Sequence, residues 1–151
     1  MSGQALRIGQ AAALAGVSTR TLRYYEELGL LRPSAHSPGG ARRYSDDDVA
    51  RLARIRELKD LLGFNLDEVR VVLGAEDQLG SLKAAYLAQA DQEAQRAIIE
   101  QALAINARLQ AAVGAKLERL TEFHAALVAK EARYRGILDG SIEPATPAAR
   151  R

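Results

Sequence analysis

Arg20, Arg23, Tyr24 and Glu27 stand at i, i+3, i+4 and i+7 in the stretch RTLRYYEELGLLRPS, which runs from Arg20 to Ser34. On a helix those positions share one face. Leu22, Tyr25 and Leu28 fall on another. Two guanidiniums and a phenol opposite an apolar anchor suit presentation to a partner. The plain alternative is a solvated surface in which Arg23 and Glu27 form an i, i+4 ion pair.

The placement of charge narrows the partner. The chain has 151 residues and a net charge of +2. Residues 1–44 hold six arginines against two glutamates, whereas the remainder carries a small acidic excess. A basic head with embedded tyrosines points to an anionic polymer. The composition, 48% hydrophobic and 26% charged, is that of a globular chain.

Several chemistries are excluded. The absence of cysteine removes a disulfide framework, a thiolate metal site and a thiol nucleophile together. His36 and His124 are the only histidines, and neither has a second histidine nearby in sequence. Metal sites need convergent ligands, so no metal or other cofactor is expected. No nucleophile–base–orienter set and no phosphate loop is present, so an enzyme is not expected. There is no long uncharged apolar run and no signal-peptide pattern, which makes the cytoplasm the default location.

The elements that must position the arginines can be read from local signals. IGQAAALA, residues 8–15, reads as a short helix of small residues, with Gly16 as its left-handed stop. Val17 turns inward. Ser18 is a suitable N-cap for a second helix, about Thr19 to Leu28, which Gly29 ends. Helix, tight turn, helix is the helix-turn-helix pattern. Pro33, Pro38, Gly39 and Gly40 rule out a helix over the next stretch. The Gly-Gly pair predicts a hairpin tip, with arms at Leu30–Arg32 and Arg42–Tyr44, so that Arg42, Arg43 and Tyr44 lie on the return arm of a wing.

Ser45 with Asp48 predicts a capping box that opens a third helix, with Val49, Leu52, Ile55, Leu58 and Leu62 as its apolar stripe and Gly63 as its end. Asn65 with Glu68 opens another helix, which Gly74 is expected to end. Residues 75–80 then read as a link and SLKAAYLAQ as a short helical piece. From about Asp91 to Leu138 there is no proline. Val113, Leu117, Leu120, His124 and Leu127 alternate spacings of four and three, a coiled-coil seam. A helix of that length has little core within one chain, so a second copy is its expected cover. Tyr86, Phe123 and Tyr134 read as ordinary core aromatics, and the segment from Asp139 as disordered.

The residues from about Leu6 to Leu73 resemble the DNA-binding domain of the MerR family of bacterial transcription regulators. The resemblance rests on the RTLRYYEELGLL helix exit, the wing glycine, arginine and tyrosine (Gly40, Arg42, Tyr44), and LGFNLDEV. It implies a mainly α fold: a winged helix-turn-helix head with a small β-hairpin wing, followed by a long antiparallel coiled-coil dimerisation helix. It also implies a homodimer on a pseudo-palindromic operator in double-stranded DNA, and an action at overlong promoter spacers that serves RNA polymerase. By that resemblance the DNA-binding residues are Ser18, Thr19, Arg20, Arg23, Tyr24, Arg42, Arg43, Tyr44 and Lys59. Arg20 is the expected base reader; Arg23, Tyr24 and the wing favour the backbone. The absence of cysteine excludes thiolate sensing of mercury and iron–sulfur redox sensing, and the sequence names no small-molecule effector.

The expected division is a DNA-binding head over residues 1–74, a linker and short helix over 75–90, a dimerisation helix over 91–138 and a tail over 139–151. Two other readings remain at this point. One is an architectural or excisionase-like DNA-binding protein, or a steric repressor, that needs no effector. The other is a helical interaction module whose basic head is incidental.

Overall fold

The computed structural model describes residues 5–143. Five α-helices and one small hairpin are arranged in the order α1 (Ile8–Ala15), α2 (Thr19–Glu27), β1 (Ala35–His36), β2 (Arg42–Arg43), α3 (Asp46–Arg56), α4 (Leu66–Ala88) and α5 (Gln92–Leu138). The chain divides into two compact units, one through Gln101 and one from Ala102.

The first unit contains the core. Ala11, Ala12 and Ala15 let α1 approach α2 and α3 closely. Leu22 and Tyr25 of α2, Leu52 and Ile55 of α3, Leu58 just beyond it, and Val69, Val72 and Leu73 of α4 bury against them. Burying each large aliphatic side chain contributes about 2 kcal/mol.

The helix starts are where the caps place them. The Ser18 hydroxyl accepts the Thr21 N–H at 2.9 Å. Ser45 and Asp48 form a reciprocal capping box, as do Asn65 and Glu68. Asp48 does more than cap. Buried beside the loop, its carboxylate also accepts the backbone N–H and the hydroxyl of Ser34.

Gly16 ends α1 with φ +66, and a Cβ there would meet the Arg56 guanidinium. Arg56 donates to the Ala15 carbonyl at 3.1 Å. Arg70 likewise donates to Leu28 O, and Arg51 to Leu30 O. Three arginines from α3 and α4 thus satisfy carbonyls left open where α1 and α2 end.

Three expectations are corrected. The first arm of the hairpin is Ala35–His36, not Leu30–Arg32; it pairs antiparallel with Arg42–Arg43. Leu30 and Leu31 are buried, their N–H groups turn back to Tyr25 O, and Pro33 has no N–H to offer. The strand can begin only after them. Residues 75–80 are not a link, because α4 runs unbroken through Gly74 and Gly80 to Ala88. Strong helix formers surround both glycines, each of which costs about 1 kcal/mol. Bidentate Arg51–Asp77 and Arg54–Glu76 contacts hold the extension against α3. Leu62 is half exposed rather than in the stripe of α3. A π-helical turn at Glu57–Leu61 inserts an extra residue per turn and rotates Leu62 outward, while Phe64 fills the core instead.

α5 is one 47-residue helix. Its apolar stripe is open: Val113, Leu117, Leu120, Phe123 and Leu127 are each 44–64% exposed. Tyr86, Phe123 and Tyr134 are therefore not core residues of the single chain. At its end Asp139–Glu143 do not trail away. Ile142 N–H returns to Gly136 O at 2.9 Å, and the Ile142 side chain lies where a Cβ on residue 136 would be. The rest of the expected disordered tail, residues 144–151, lies outside the described residues.

The wing is tied to the head through Tyr44. Its backbone pairs with Leu6 in both directions, at 2.8 and 3.0 Å. Its ring is fully buried, and its hydroxyl donates to Glu26 Oε1 at 2.7 Å. Burial, and after it the Glu26 carboxylate, raise the phenol's pKa well above the ordinary tyrosine value. The unfolded chain ionises this group near pH 10, whereas the folded chain holds it neutral. Its contribution is therefore complete below about pH 10 and is lost as pH rises further. Thermal melts between pH 9 and about pH 11 should show a steeper fall in Tm for the native chain than for Tyr44→Phe. At neutral pH Tyr44→Phe should cost about 1–3 kcal/mol, because Glu26 loses a buried partner. Equal pH slopes would mean that the phenol is not sequestered in solution.

Candidate nucleic-acid interface

One side of α2, from Thr19 to Glu27, and the turn after α3 face one groove. Thr19, Arg20, Arg23, Tyr24, Glu27 and Lys59 line it, with Thr21 and the buried Tyr25 at its floor. The Ser18 cap sets the register: with helix φ/ψ starting at Thr19, Arg20, Arg23 and Tyr24 project on the side away from Leu22. Lys59 reaches the groove from the π-helical turn, where its ammonium lies 5.8 Å from the centre of the Tyr25 ring. The Tyr24 ring leans beside that of Tyr25 at 6.4 Å but stays 47% exposed.

A second groove adjoins it. Arg7, Arg23, Gly40, Ala41, Arg42 and Arg43 line it, with Ile8. Arg23 belongs to both, so the two grooves form one surface from α2 to the wing. Six cationic side chains (Arg7, Arg20, Arg23, Arg42, Arg43 and Lys59) face it, against one lining carboxylate, Glu27.

Four other arginines of the head are spent within the chain. Arg51 pairs with Asp77, Arg54 with Glu76 and Glu57, Arg56 with Asp60 and Arg70 with Asp67. Among the described residues no carboxylate pairs with Arg20, Arg23 or Arg43. The Arg23–Glu27 ion pair expected of a plain solvated surface is not formed. Unpaired cations on one face carry their full charge toward solvent.

The expected site residues thus separate. Thr19, Arg20, Arg23, Tyr24 and Lys59 share the first groove, and Arg42 and Arg43 the second. Ser18 is exposed at the head of α2, but its hydroxyl is engaged by Thr21. Tyr44 does not belong with them: it is buried on Glu26, so it anchors the wing and has no hydroxyl to offer a phosphate. Sequence reasoning missed Arg7, which reaches the surface because Leu6 pairs with Tyr44 and carries its neighbour beside β2. It also missed Glu26, whose carboxylate lies under both Tyr44 and Arg42, the latter at 3.1 Å from Nε.

Known proteins resemble this chain in sequence and in fold. The sequence model described as MerR HTH family regulatory protein matches residues 6–76. The chain is 34% identical over 96 residues to the HTH-type transcriptional regulator YfmP of Bacillus subtilis, a match spanning 64% of this chain and 69% of YfmP. It is 52% identical over 66 residues to the HTH-type transcriptional activator TipA of Streptomyces coelicolor, but that match spans only 26% of TipA and 44% of this chain. Two solved structures share the fold. HiNmlR, a MerR family regulator lacking the sensor domain and bound to promoter DNA, superimposes with a TM-score of 0.52 at 23% identity, over 90% of this chain and 94% of that one. A protein from Listeria monocytogenes assigned to the same family gives 0.55 at 20% identity, over 90% of each chain. The α2–wing unit lies within the residues that the family model matches, and the likeness to YfmP runs past them; this chain belongs to the MerR family of helix-turn-helix regulators.

Proposed function

We propose that the chain is a sequence-specific, double-stranded-DNA-binding transcription regulator that works as a homodimer in the cytoplasm and catalyses no reaction. The observation that carries this reading is the continuous face of six cations with one lining carboxylate. Phosphates fix position on such a face, and a guanidinium aimed at a guanine edge supplies specificity. Arg20, near the N-terminus of α2, is the base reader. Arg23, Tyr24, Arg42, Arg43 and Lys59 hold the backbone. TipA is named as a transcriptional activator and HiNmlR was solved on promoter DNA, and both support the assignment.

Binding should weaken steeply with salt, by about −0.9 in log K against log salt for each phosphate neutralised. Arg20→Ala should cost roughly 1–3 kcal/mol on the chosen site and relax base preference there. The measurement is binding to selected and scrambled duplexes across a salt series. Equal losses on both would remove Arg20 as a base reader.

The division of labour places the DNA-binding head in residues 1–74 and dimerisation in 91–138. The open stripe of α5 pairs with a second copy as an antiparallel coiled coil through Val113, Leu117, Leu120, His124 and Leu127. Leu117→Asp with Leu120→Asp would place charges in that apolar seam and should give monomers by light scattering. A dimer that survives both changes would mean that α5 is covered in another way.

Two heads fixed to one coiled coil can grip two half-sites of a pseudo-palindromic operator while the DNA between them bends and untwists, at a cost of about 1–6 kcal/mol. The deformed spacer then presents its promoter elements to RNA polymerase in register. Plain steric repression is the second reading. Shortening an overlong spacer should make transcription high without the protein. Continued dependence on the protein after shortening, or a native spacer of optimal length, would favour repression.

A further inference from the structure

We infer that Glu26 is a positioning residue of the DNA interface: it holds the wing's Arg42 so that the outer guanidinium nitrogens face a phosphate. The inference rests on the DNA-binding reading above and deepens it.

Glu26 lies on α2 but turns away from the Arg20–Tyr24 groove. Its side chain is only 9% exposed. One oxygen, Oε1, accepts the Tyr44 hydroxyl at 2.7 Å. The other, Oε2, stands 3.1 Å from Arg42 Nε. That contact is an ion pair without hydrogen-bond alignment, because buried Oε2 accepts no well-directed bond. A carboxylate so placed demands a nearby cation. It meets Arg42 at the inner edge of the guanidinium. The rest of the Arg42 side chain is half exposed and faces the groove shared with Arg7, Arg23 and Arg43.

An arginine held at Nε keeps both terminal nitrogens for a second anion, in the fork geometry that suits phosphate. Free arginine side chains lose rotamer freedom when they bind, and a partner already in place removes part of that cost. Lysine has no second edge and cannot serve both anions in this way. Glu26 also repels a phosphate directly. Water and salt screen that repulsion beyond about 8 Å at physiological ionic strength, while the positioning effect is short-range and remains. The expected net effect of Glu26 at that ionic strength is therefore favourable.

The test is a double-mutant cycle on a duplex that the wild-type chain selects from random sequence. The chains are wild type, Glu26→Gln, Arg42→Ala and the double variant, with Kd measured across a salt series. At about 0.15 M salt, Glu26→Gln should raise Kd roughly three- to tenfold, the effect of losing the order of one arginine. Its salt slope should stay close to that of wild type, because no phosphate contact is deleted outright. Arg42→Ala should flatten the slope by about 0.9. In the Arg42→Ala background, Glu26→Gln should change Kd by less than twofold. In the free protein, the Arg42 side chain should show higher order by NMR relaxation in the wild type than in Glu26→Gln.

A Glu26→Gln effect of full size in the Arg42→Ala background would assign Glu26 to wing stability alone and overturn the inference. Tighter binding by Glu26→Gln would make Glu26 a mere competitor for Arg42, and overturns it equally. A wild-type chain that selects no duplex would overturn the DNA-binding reading and this inference together. Loss of coupling with wild-type binding intact overturns this inference alone.

Discussion

A hairpin of two-residue strands has no stability of its own. The wing exists because Tyr44 is anchored. Its ring sits in the core, its backbone pairs with Leu6, and its hydroxyl ends on Glu26 of α2. Each of those contacts joins a different segment, so the N-terminal segment at Leu6, the wing and the second helix are fixed by one residue. Every placement on the cationic face inherits that constraint. Arg7 is one residue from Leu6, and Arg42 and Arg43 directly precede Tyr44. Without the anchor the first groove would keep Arg20 and Lys59, but the second would lose the backbone that gathers its arginines.

The head also sorts its cations by position. Arginines on α3 and α4 turn to carbonyls at the ends of α1 and α2 and to carboxylates on α4 and in the π-helical turn. Those on α2 and the wing look outward, and apart from Arg42 none has an acidic partner among the described residues. Exposed ion pairs are worth only about 0–1 kcal/mol each, so the first set matters less as charge than as geometry. Arg51 and Arg54 hold the first turns of the α4 extension beside α3, and Arg56 sits where Gly16 leaves no room for a Cβ. A count of basic residues cannot separate these sets. Their partners can.

What was legible in the sequence is what depends on neighbours three or four residues apart. Ser18, Ser45 with Asp48, and Asn65 with Glu68 each cap the helix they were expected to cap. The face of Arg20, Arg23 and Tyr24 comes from the same local period, and so does the open stripe of α5. Most of the failures involve contacts from far along the chain. Gly74 reads as a stop until Glu76 and Asp77 are seen to meet α3. Leu30–Arg32 reads as a strand until its backbone is claimed by Tyr25 and Arg51. Tyr44 reads as a wing contact because the partner that removes it, Glu26, is eighteen residues away. Leu62 leaves its stripe through a change of helical pitch that no periodicity count detects.

The same distinction explains why α5 points outside the single chain. A helix of 47 residues gains little from propensity alone, and most helical stability comes from a covered apolar face. Here the far end is finished carefully: Gly136 admits Ile142, and Ser141 donates its hydroxyl to the Gly136 carbonyl. The middle is not covered, with Leu117 and Phe123 each 64% exposed. Large apolar side chains left open along a regular stripe are the surface that the proposed second copy would cover. The alternation of four and three residues gives the missing surface a shape, since only another helix meets such a stripe along its length. In the proposed dimer one cationic face would grip one short length of duplex, and a second face fixed to the first would lengthen the sequence that is read without adding a new kind of contact.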